Sequence, residues 1–259
     1  MSATSSPTAF LNVATGKPAE HTPVWFMRQA GRSLPEYRAV RGEGSILDAI
    51  KQPRLAADIT LQPVARYGVD AAVLYSDIVV PAHAVGFGID VAPGTGPVAE
   101  KPFRTVADLQ RLRPLDPEAD TPYVLETVRM LAAELKVPLL AFAGAPFTVG
   151  SYLVVGKPSR DHLLEMMKQA GPQIIGLDWR TSITDARRRL GEDTIVQGNL
   201  NPELVLGDIA TALAGTDAVL ADNGGNPGHI FNLGHGVQPP TNPDVLAAIV
   251  EHVHNSTKR

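Results

Sequence analysis

Short apolar runs alternate with longer amphipathic stretches along most of the chain. Each run is brief and almost continuous in apolar residues, which is typical of parallel strands buried on both faces. The predicted strands are Pro23–Met27, Ala71–Ser76, Leu139–Ala143, Ile174–Asp178, Thr194–Gly198 and His229–Leu233. Strands that alternate with helices predict an α/β protein with a parallel sheet and right-handed crossovers.

Start signals mark the helices between these strands. A capping residue directly precedes a proline at Thr121-Pro122, Asn201-Pro202 and Asn242-Pro243. This arrangement is typical of a helix N-terminus. Ser182 and Asp185 have the spacing of a capping box, and Gly191 marks the end of the same helix. Residues 1–259 predict one domain, a closed (β/α) barrel of about 250 residues, with a doubly wound open sheet as the alternative.

Two intervals depart from the alternation. Residues 86–101 are rich in glycine and proline and predict a hairpin or long loop after the second strand. Between Tyr152 and Ile174 there is room for only one short helix. The chain therefore has six predicted strands where a closed barrel of this type has eight.

Composition narrows the possible chemistry. The net charge of −4 argues against a general binder of nucleic acids or membrane surfaces, because both favour a basic face. The absence of cysteine excludes disulfides, thiolate nucleophiles, iron–sulfur clusters and zinc sites with sulfur ligands. The N-terminus resembles neither a signal nor a transit peptide, and no apolar stretch approaches the ~18 residues of a membrane span. We therefore expect a cytoplasmic protein.

Polar residues follow several predicted strands, where the loops of a barrel form its active face. Arg28 and Arg32 flank Gly31 directly after the first strand, a spacing that suits a ligand with several carboxylates. Isolated arginines are more often solvated surface charges. Asp77, after the second strand, either stabilises a developing cation or caps a helix. The segment Ile78–Pro81 is a poor helix start, which favours the first role.

Two further side chains fall in the same ring of loops. His235 lies between two glycines after the last strand, and Tyr152 follows the third strand. A lone histidine or tyrosine is more often structural, and His229, at the start of the last strand, is predicted to be buried or capping. Together with the arginines and Asp77, these residues indicate an active site.

These motifs resemble those of the uroporphyrinogen decarboxylase family over nearly the whole chain. The matching segments, in order, are PVWFMRQAGRSLPEYR, ITLQP, SDIVVP, FAGAPFT, GLDWRT, VQGNL and HIFNLGHGV. The resemblance implies a (β/α)8 TIM-type barrel, usually a homodimer. It also implies conversion of uroporphyrinogen III to coproporphyrinogen III, in which four acetate side chains become methyl groups without a cofactor or metal.

The resemblance also implies roles for individual residues. Asp77 would contact the central pyrrole N–H groups and steady the positive charge of a protonated ring, and Arg28 would be a candidate acid. His235 would bind carboxylates or assist a proton transfer. The residues implied to bind substrate are Arg28, Gln29, Ala30, Gly31, Arg32, Asp77, Tyr152 and His235.

The family pattern breaks between Asp161 and His162, where about two βα units, each of about 30 residues, are missing. Either the active polypeptide contains these units, or the chain is a deletion product. We favour the first explanation, because a deletion would leave unpaired strand edges. Two other classes stay open: a methyltransferase of the same superfamily, disfavoured because such enzymes use cysteine to hold zinc, and a non-catalytic porphyrinogen-binding protein.

Overall fold

The computed structural model of the protein describes residues 8–92, 96–111, 113–144, 149, 153 and 172–258. The described helices are α1 (Ala9–Ala14), α2 (Pro35–Arg41), α3 (Ile46–Ile50), α4 (Pro53–Tyr67), α5 (Val80–Ala84), α6 (Pro117–Asp120), α7 (Pro122–Glu134), α8 (Ile183–Leu190), α9 (Ile209–Asn223) and α10 (Pro243–Ser256). The described strands are β1 (Ala72–Val73), β2 (Ile89–Ala92), β3 (Gly96–Ala99), β4 (Leu139–Leu140), β5 (Ile174–Gly176), β6 (Ile195–Leu200) and β7 (His229–Leu233). Short 3-10 turns occupy Val106–Arg111 and Leu204–Leu206.

Parallel pairing organises the long-range strands. β1 pairs with β4, and β6 lies between β5 and β7. The first predicted strand forms a single parallel bridge, from Val24 to Phe231 of β7. The carbonyl of Val24 also accepts the N–H of Asp70 at 2.8 Å, just before β1. Hydrogen bonds therefore connect the described strands in the order β4, β1, the Val24 segment, β7, β6, β5.

The core lies where the middle of this sheet meets the surrounding helices. Phe26, Phe231 and Leu200 are fully buried in one cluster with apolar residues of α4 and α10. α10 packs against both α9 and α4. Because burial of a large apolar side chain contributes about 1.5–3 kcal/mol, this cluster fixes the strand ends that carry the polar loops.

The predicted strands lie at the expected positions, but their lengths in the structure differ from those predicted. β7 has the predicted bounds, whereas the second predicted strand shrinks to Ala72–Val73. The reason is that the N–H of Tyr75 donates to Oγ1 of Thr60 in α4 instead of to a neighbouring strand. The glycine-rich interval forms the antiparallel hairpin of β2 and β3, as predicted.

Two of the four start signals are confirmed as side-chain caps. The helix α7 begins at Pro122, as the Thr121-Pro122 signal predicts, but Thr121 makes no side-chain cap bond. Asn242 caps α10 by accepting the N–H of Asp244, and Ser182 caps α8 by accepting that of Asp185. Asn201 is wrong as a helix cap. Its side chain accepts the N–H of Glu203 in a local turn. Asp208, seven positions later, caps α9 instead.

Asp161 and His162 lie outside the described residues, so the predicted break between them stays a prediction. Among the described strands, β4 is hydrogen-bonded only to β1, and β5 only to β6. These are the strands that flank the predicted break.

Candidate active site

The C-terminal ends of the Val24 segment and β7 are hydrogen-bonded to each other. The N–H of Met27 donates to Oδ1 of Asn232, and the carbonyl of Met27 accepts the N–H of Val237 at 2.8 Å. The loop that carries Arg28 and the loop that carries His235 therefore form one wall. Met27 is itself exposed, which adds an apolar surface beside the polar residues.

The side chain of Gln29 holds this wall in place through hydrogen bonds to the backbone. This side chain is fully buried. Its Oε1 accepts the N–H of Phe26, and its Nε2 donates to the carbonyl of Ala71 at 3.0 Å. With both ends of its amide engaged by backbone, Gln29 ties the Arg28 loop to the start of β1.

Arg28 adopts an unusual backbone conformation for a residue other than glycine. Its φ is +64°, in the left-handed region, which costs roughly 1–2 kcal/mol for an L-residue. Its side chain passes close to Gly236, where an added Cβ would lie 2.6 Å from Cδ of Arg28. Strain of this kind clusters at functional sites, and here the Arg28 side chain packs against the loop that carries His235.

Asp77 follows β1 and is half-buried. Burial raises the pKa of its carboxyl above the ordinary value, whereas the N–H of Val79 and the positive charge of Arg28 act in the opposite direction. Oδ1 of Asp77 accepts the Val79 N–H at 3.0 Å. The positive charge of Arg28 is thus near enough to Asp77 to favour its ionised form.

The prediction that Ile78–Pro81 is a poor helix start is wrong, because the short helix α5 begins at Val80. Asp77 does not cap that helix. Val79 occupies the N-cap position of α5, and its side chain makes no capping hydrogen bond. The backbone N–H groups of Val79 and Ile78 both act on the Asp77 carboxylate, which therefore belongs to the turn that precedes α5.

His235 is exposed on the same wall. Its ring contacts Trp179 edge to face, with centroids 6.2 Å apart. The loop can approach this closely only because position 234 is glycine: a Cβ there would lie 2.3 Å from the backbone nitrogen of Trp179. Trp179 is a site residue that the sequence reasoning did not single out, although it lies in the matching segment GLDWRT.

The loop that carries Trp179 is held by Asn199 of β6. Nδ2 of this buried side chain donates to the carbonyls of Asp178 and Thr181. The guanidinium group of Arg180 lies 5.0 Å from the centre of the Trp179 ring and pairs with Asp178 at 2.7 Å. The loop that carries Trp179 therefore holds a further arginine, paired with a carboxylate.

The remaining predicted residues divide into three groups. Arg32 is exposed in the loop after Arg28, and its carbonyl accepts a bond from Arg38. Ala30 and Gly31 are half-buried in that loop. Tyr152 lies outside the described residues.

The opposite end of the sheet has a different character. His229, at the start of β7, is buried as predicted, burial lowers its pKa to about 4, and its Nε2 donates to the carbonyl of Gly198. A cavity near the beginnings of β5 and β6 is lined by Gln173, Asp193 and Thr194 among others, with no cationic side chain. This cavity therefore does not suit a ligand with many carboxylates.

The described residues form an α/β fold of parallel strands, a class to which many barrel enzymes belong. The half-buried carboxylate of Asp77 and the guanidinium group of Arg28 both follow strands of this sheet. The chain matches the family model described as uroporphyrinogen decarboxylase (URO-D) over residues 5–164 and 160–256. The chain belongs to the uroporphyrinogen decarboxylase family.

Curated relatives support this membership along the whole chain. A uroporphyrinogen decarboxylase from Salinispora tropica is 40% identical over 337 aligned positions, which cover 96% of this chain and 91% of the relative. One from Streptomyces avermitilis is 39% identical over 349 positions, which cover 99% and 98%. The 337 positions exceed the 259 residues of this chain by 78, so the relative has residues at many positions where this chain has none.

One solved structure has a similar fold. A methyltransferase from Methanosarcina mazei superposes with a TM-score of 0.67 over 96% of this chain and 98% of its own, at 16% identity. At that identity the likeness shows the barrel-like α/β fold alone. Among the described residues, none of the helices is both long and apolar enough to span a membrane.

Proposed function

We propose that this protein removes CO2 from the four acetate side chains of uroporphyrinogen III, giving coproporphyrinogen III in tetrapyrrole biosynthesis. Membership of the family supports the reaction. The observation that supports the assignment of the site is the half-buried carboxylate of Asp77, which shares the post-strand cleft with Arg28.

The chemistry explains why such a carboxylate is needed. A pyrrole acetate loses CO2 readily only after a ring carbon has been protonated, because the cationic ring then accepts the electron pair of the breaking C–C bond. A proton added to the exocyclic carbon and one lost from the ring leave a methyl group, so each CO2 released consumes one proton. A fixed negative charge in a partly desolvated cleft stabilises the cationic ring more strongly than water does.

The cations of the cleft complement the remaining carboxylates of the substrate. Arg28 would bind one carboxylate and act as the acid, and Arg32 and His235 would bind others. Tyr152 would join them or assist proton transfer. The exposed side chains of Met27 and Phe142 provide apolar contact for the macrocycle.

The finer architecture belongs to the same proposal. The active polypeptide would be a closed eight-stranded barrel and a homodimer in the cytoplasm. It would contain about two βα units between Asp161 and His162 that the 259 residues lack. The two separate family matches, which meet at residues 160–164, and the long alignments to relatives support this location.

The role of Asp77 is tested by two substitutions. Asp77→Asn keeps the shape and loses the charge, so turnover should fall by about 10²–10³-fold, the usual loss for one electrostatic stabiliser. Asp77→Glu should retain part of the activity because the charge survives at a displaced position. Single-turnover decarboxylation of uroporphyrinogen at saturating substrate measures both.

Arg32→Lys is the matched comparison. Lysine keeps the charge but loses the bidentate fork, so substrate binding should weaken while the rate at saturation changes little. If Asp77→Asn decarboxylates at nearly the wild-type rate, Asp77 is a turn residue only. Asp90 would not replace it, because it lies in the hairpin and accepts a bond from Ser45 at 2.6 Å.

A further inference from the structure

Two histidines converge on one carboxylate at the N-terminal end of the sheet, opposite the active cleft. His21 Nε2 lies 2.8 Å from Oδ1 of Asp70, and His254 Nε2 lies 2.8 Å from Oδ2. The two imidazole rings are 4.3 Å apart between centroids. One ligand atom from each of the three residues falls within 4.8 Å of the others.

The three side chains come from distant parts of the chain. Asp70 precedes β1, His21 precedes the Val24 segment, and His254 lies in the last turn of α10. The N–H of Val24 donates to Oδ2 of Asp70 at 2.7 Å, which fixes the orientation of the carboxylate. The cluster therefore joins the C-terminal helix to the start of two neighbouring strands.

The protonation of this cluster is unusual. A carboxylate only accepts hydrogen bonds, so both imidazoles must present an Nε2 proton to the same group. These protons can be replaced by one divalent ion that binds both nitrogens and an oxygen. The 2.8 Å N···O separations need to open by about 0.6 Å, because tetrahedral ligand atoms at about 2.0–2.2 Å from such an ion lie about 3.4 Å apart.

We propose that His21, Asp70 and His254 form a binding site for a divalent transition-metal ion of the Zn²⁺ class. Two imidazoles and a carboxylate are a ligand set that such ions favour, with a remaining position for water. The carboxylate of Glu20 lies 4.0 Å from Nδ1 of His21, beyond hydrogen-bond distance, and adds negative charge beside the cluster.

The partial exposure of the cluster permits exchange with solvent. The side chains of His21, Asp70 and His254 are 19%, 12% and 27% exposed. The ion would clip α10 to the sheet and thereby stabilise the fold. Because the cluster lies at the opposite end of the strands from Asp77, it takes no part in decarboxylation, and the proposal does not depend on that activity.

The test uses the purified full chain after removal of metal by a chelator. Zn²⁺ titration should show one ion bound per chain and should raise the melting temperature by several degrees, because an ion that binds only the folded state stabilises it. Co²⁺, used as a visible probe, should develop d–d absorption on binding. His21→Gln and His254→Gln should each abolish the absorption and the thermal shift.

The matched control is His252→Gln. His252 lies on the same helix two positions before His254 and pairs with Asp217, so it should leave metal binding unchanged. The proposal is overturned if wild-type protein neither binds Zn²⁺ nor melts at a higher temperature with it. It is also overturned if the variants at positions 21 and 254 keep the same response as the control, which would mean adventitious binding elsewhere.

Discussion

Burial and the groups around Asp77 act in opposite directions on the pKa of its carboxyl. Burial raises the pKa of its carboxyl, and Arg28 partly reverses that effect. The ionised form is the one that stabilises a cationic pyrrole ring. We therefore expect Arg28 to favour the ionised form of Asp77, in addition to the substrate-binding role proposed for it.

Replacement of Arg28 should move the acid limb of the pH–rate profile. In the Arg28→Gln variant the opposing charge is gone, so the pKa of Asp77 rises further, and kcat/KM should begin to fall at a higher pH than in the wild type. Arg129→Gln, which removes an exposed arginine paired with Glu126, should leave the limb in place. An unchanged limb in Arg28→Gln would show that Asp77 does not control it.

Residues that could be predicted from sequence are those that stand directly after a strand. Arg28, Asp77 and His235 are of this kind. Trp179 could not be assigned by its surroundings, because its contacts with Gly234 and His235 join residues more than 50 positions apart. The buried role of Gln29 also depends on Ala71, a neighbour that only the folded sheet supplies.

At the scale of elements, α8 is fixed through a carboxylate that belongs to α9. Asp222 accepts the N–H of Ile183 at 2.6 Å and the hydroxyl of Ser182 at 2.9 Å. Burial opposes ionisation of Asp222, but these bonds and those from Thr184 hold its pKa below the usual range. The free N–H groups at the start of α8 are thus satisfied from a neighbouring helix.

Asp222→Asn should destabilise the protein by about 1–2 kcal/mol, the usual cost of losing a helix cap. Since the pKa of Asp222 is lowered on folding, its contribution is present above the unfolded pKa of about 3.9 and is lost as the pH falls through the lower folded value. The difference between wild type and variant should therefore shrink in acid. Urea denaturation at several pH values measures it.

Asp217→Asn, on the same helix, is the control. Asp217 is exposed and pairs only with His252 among the contacts described, so its loss should change the free energy of unfolding by less than about 0.5 kcal/mol. Equal effects of the two substitutions would contradict the role of Asp222 in fixing α8.

Local sequence signals predicted where most helices and strands lie, but not the residues at which each one begins and ends. The apolar runs located β5, β6 and β7 because a buried parallel strand needs such a run. The misplaced cap at Asn201 has a local cause: the chain first makes the 3-10 turn Leu204–Leu206, and only then does Asp208 open α9. The number of strands in the barrel could be predicted only by the resemblance.

At the scale of the whole molecule, the sheet of the described residues has two ends. β4 and β5 each pair on one side there, and an unpaired parallel edge exposes backbone N–H and C=O groups. A closed barrel would bury both edges against the strands of the absent units. This is the arrangement expected of the longer polypeptide proposed above.

Intact-mass spectrometry of the protein expressed from its natural gene should give more than 27.5 kDa, the mass of the 259 residues. Two further βα units of about 30 residues each would account for most of the excess. A mass of 27.5 kDa would contradict the closed eight-stranded barrel and would remove the architectural basis for activity.

The most direct test of the proposed function is CO2 release from uroporphyrinogen III by the purified protein, under anaerobic conditions and with a metal chelator present. We expect four CO2 per uroporphyrinogen and coproporphyrinogen III as the final product, because the cleft needs only its own carboxylate and a proton source. Tight binding of uroporphyrinogen with no CO2 released would contradict this function and would identify a porphyrinogen-binding protein instead.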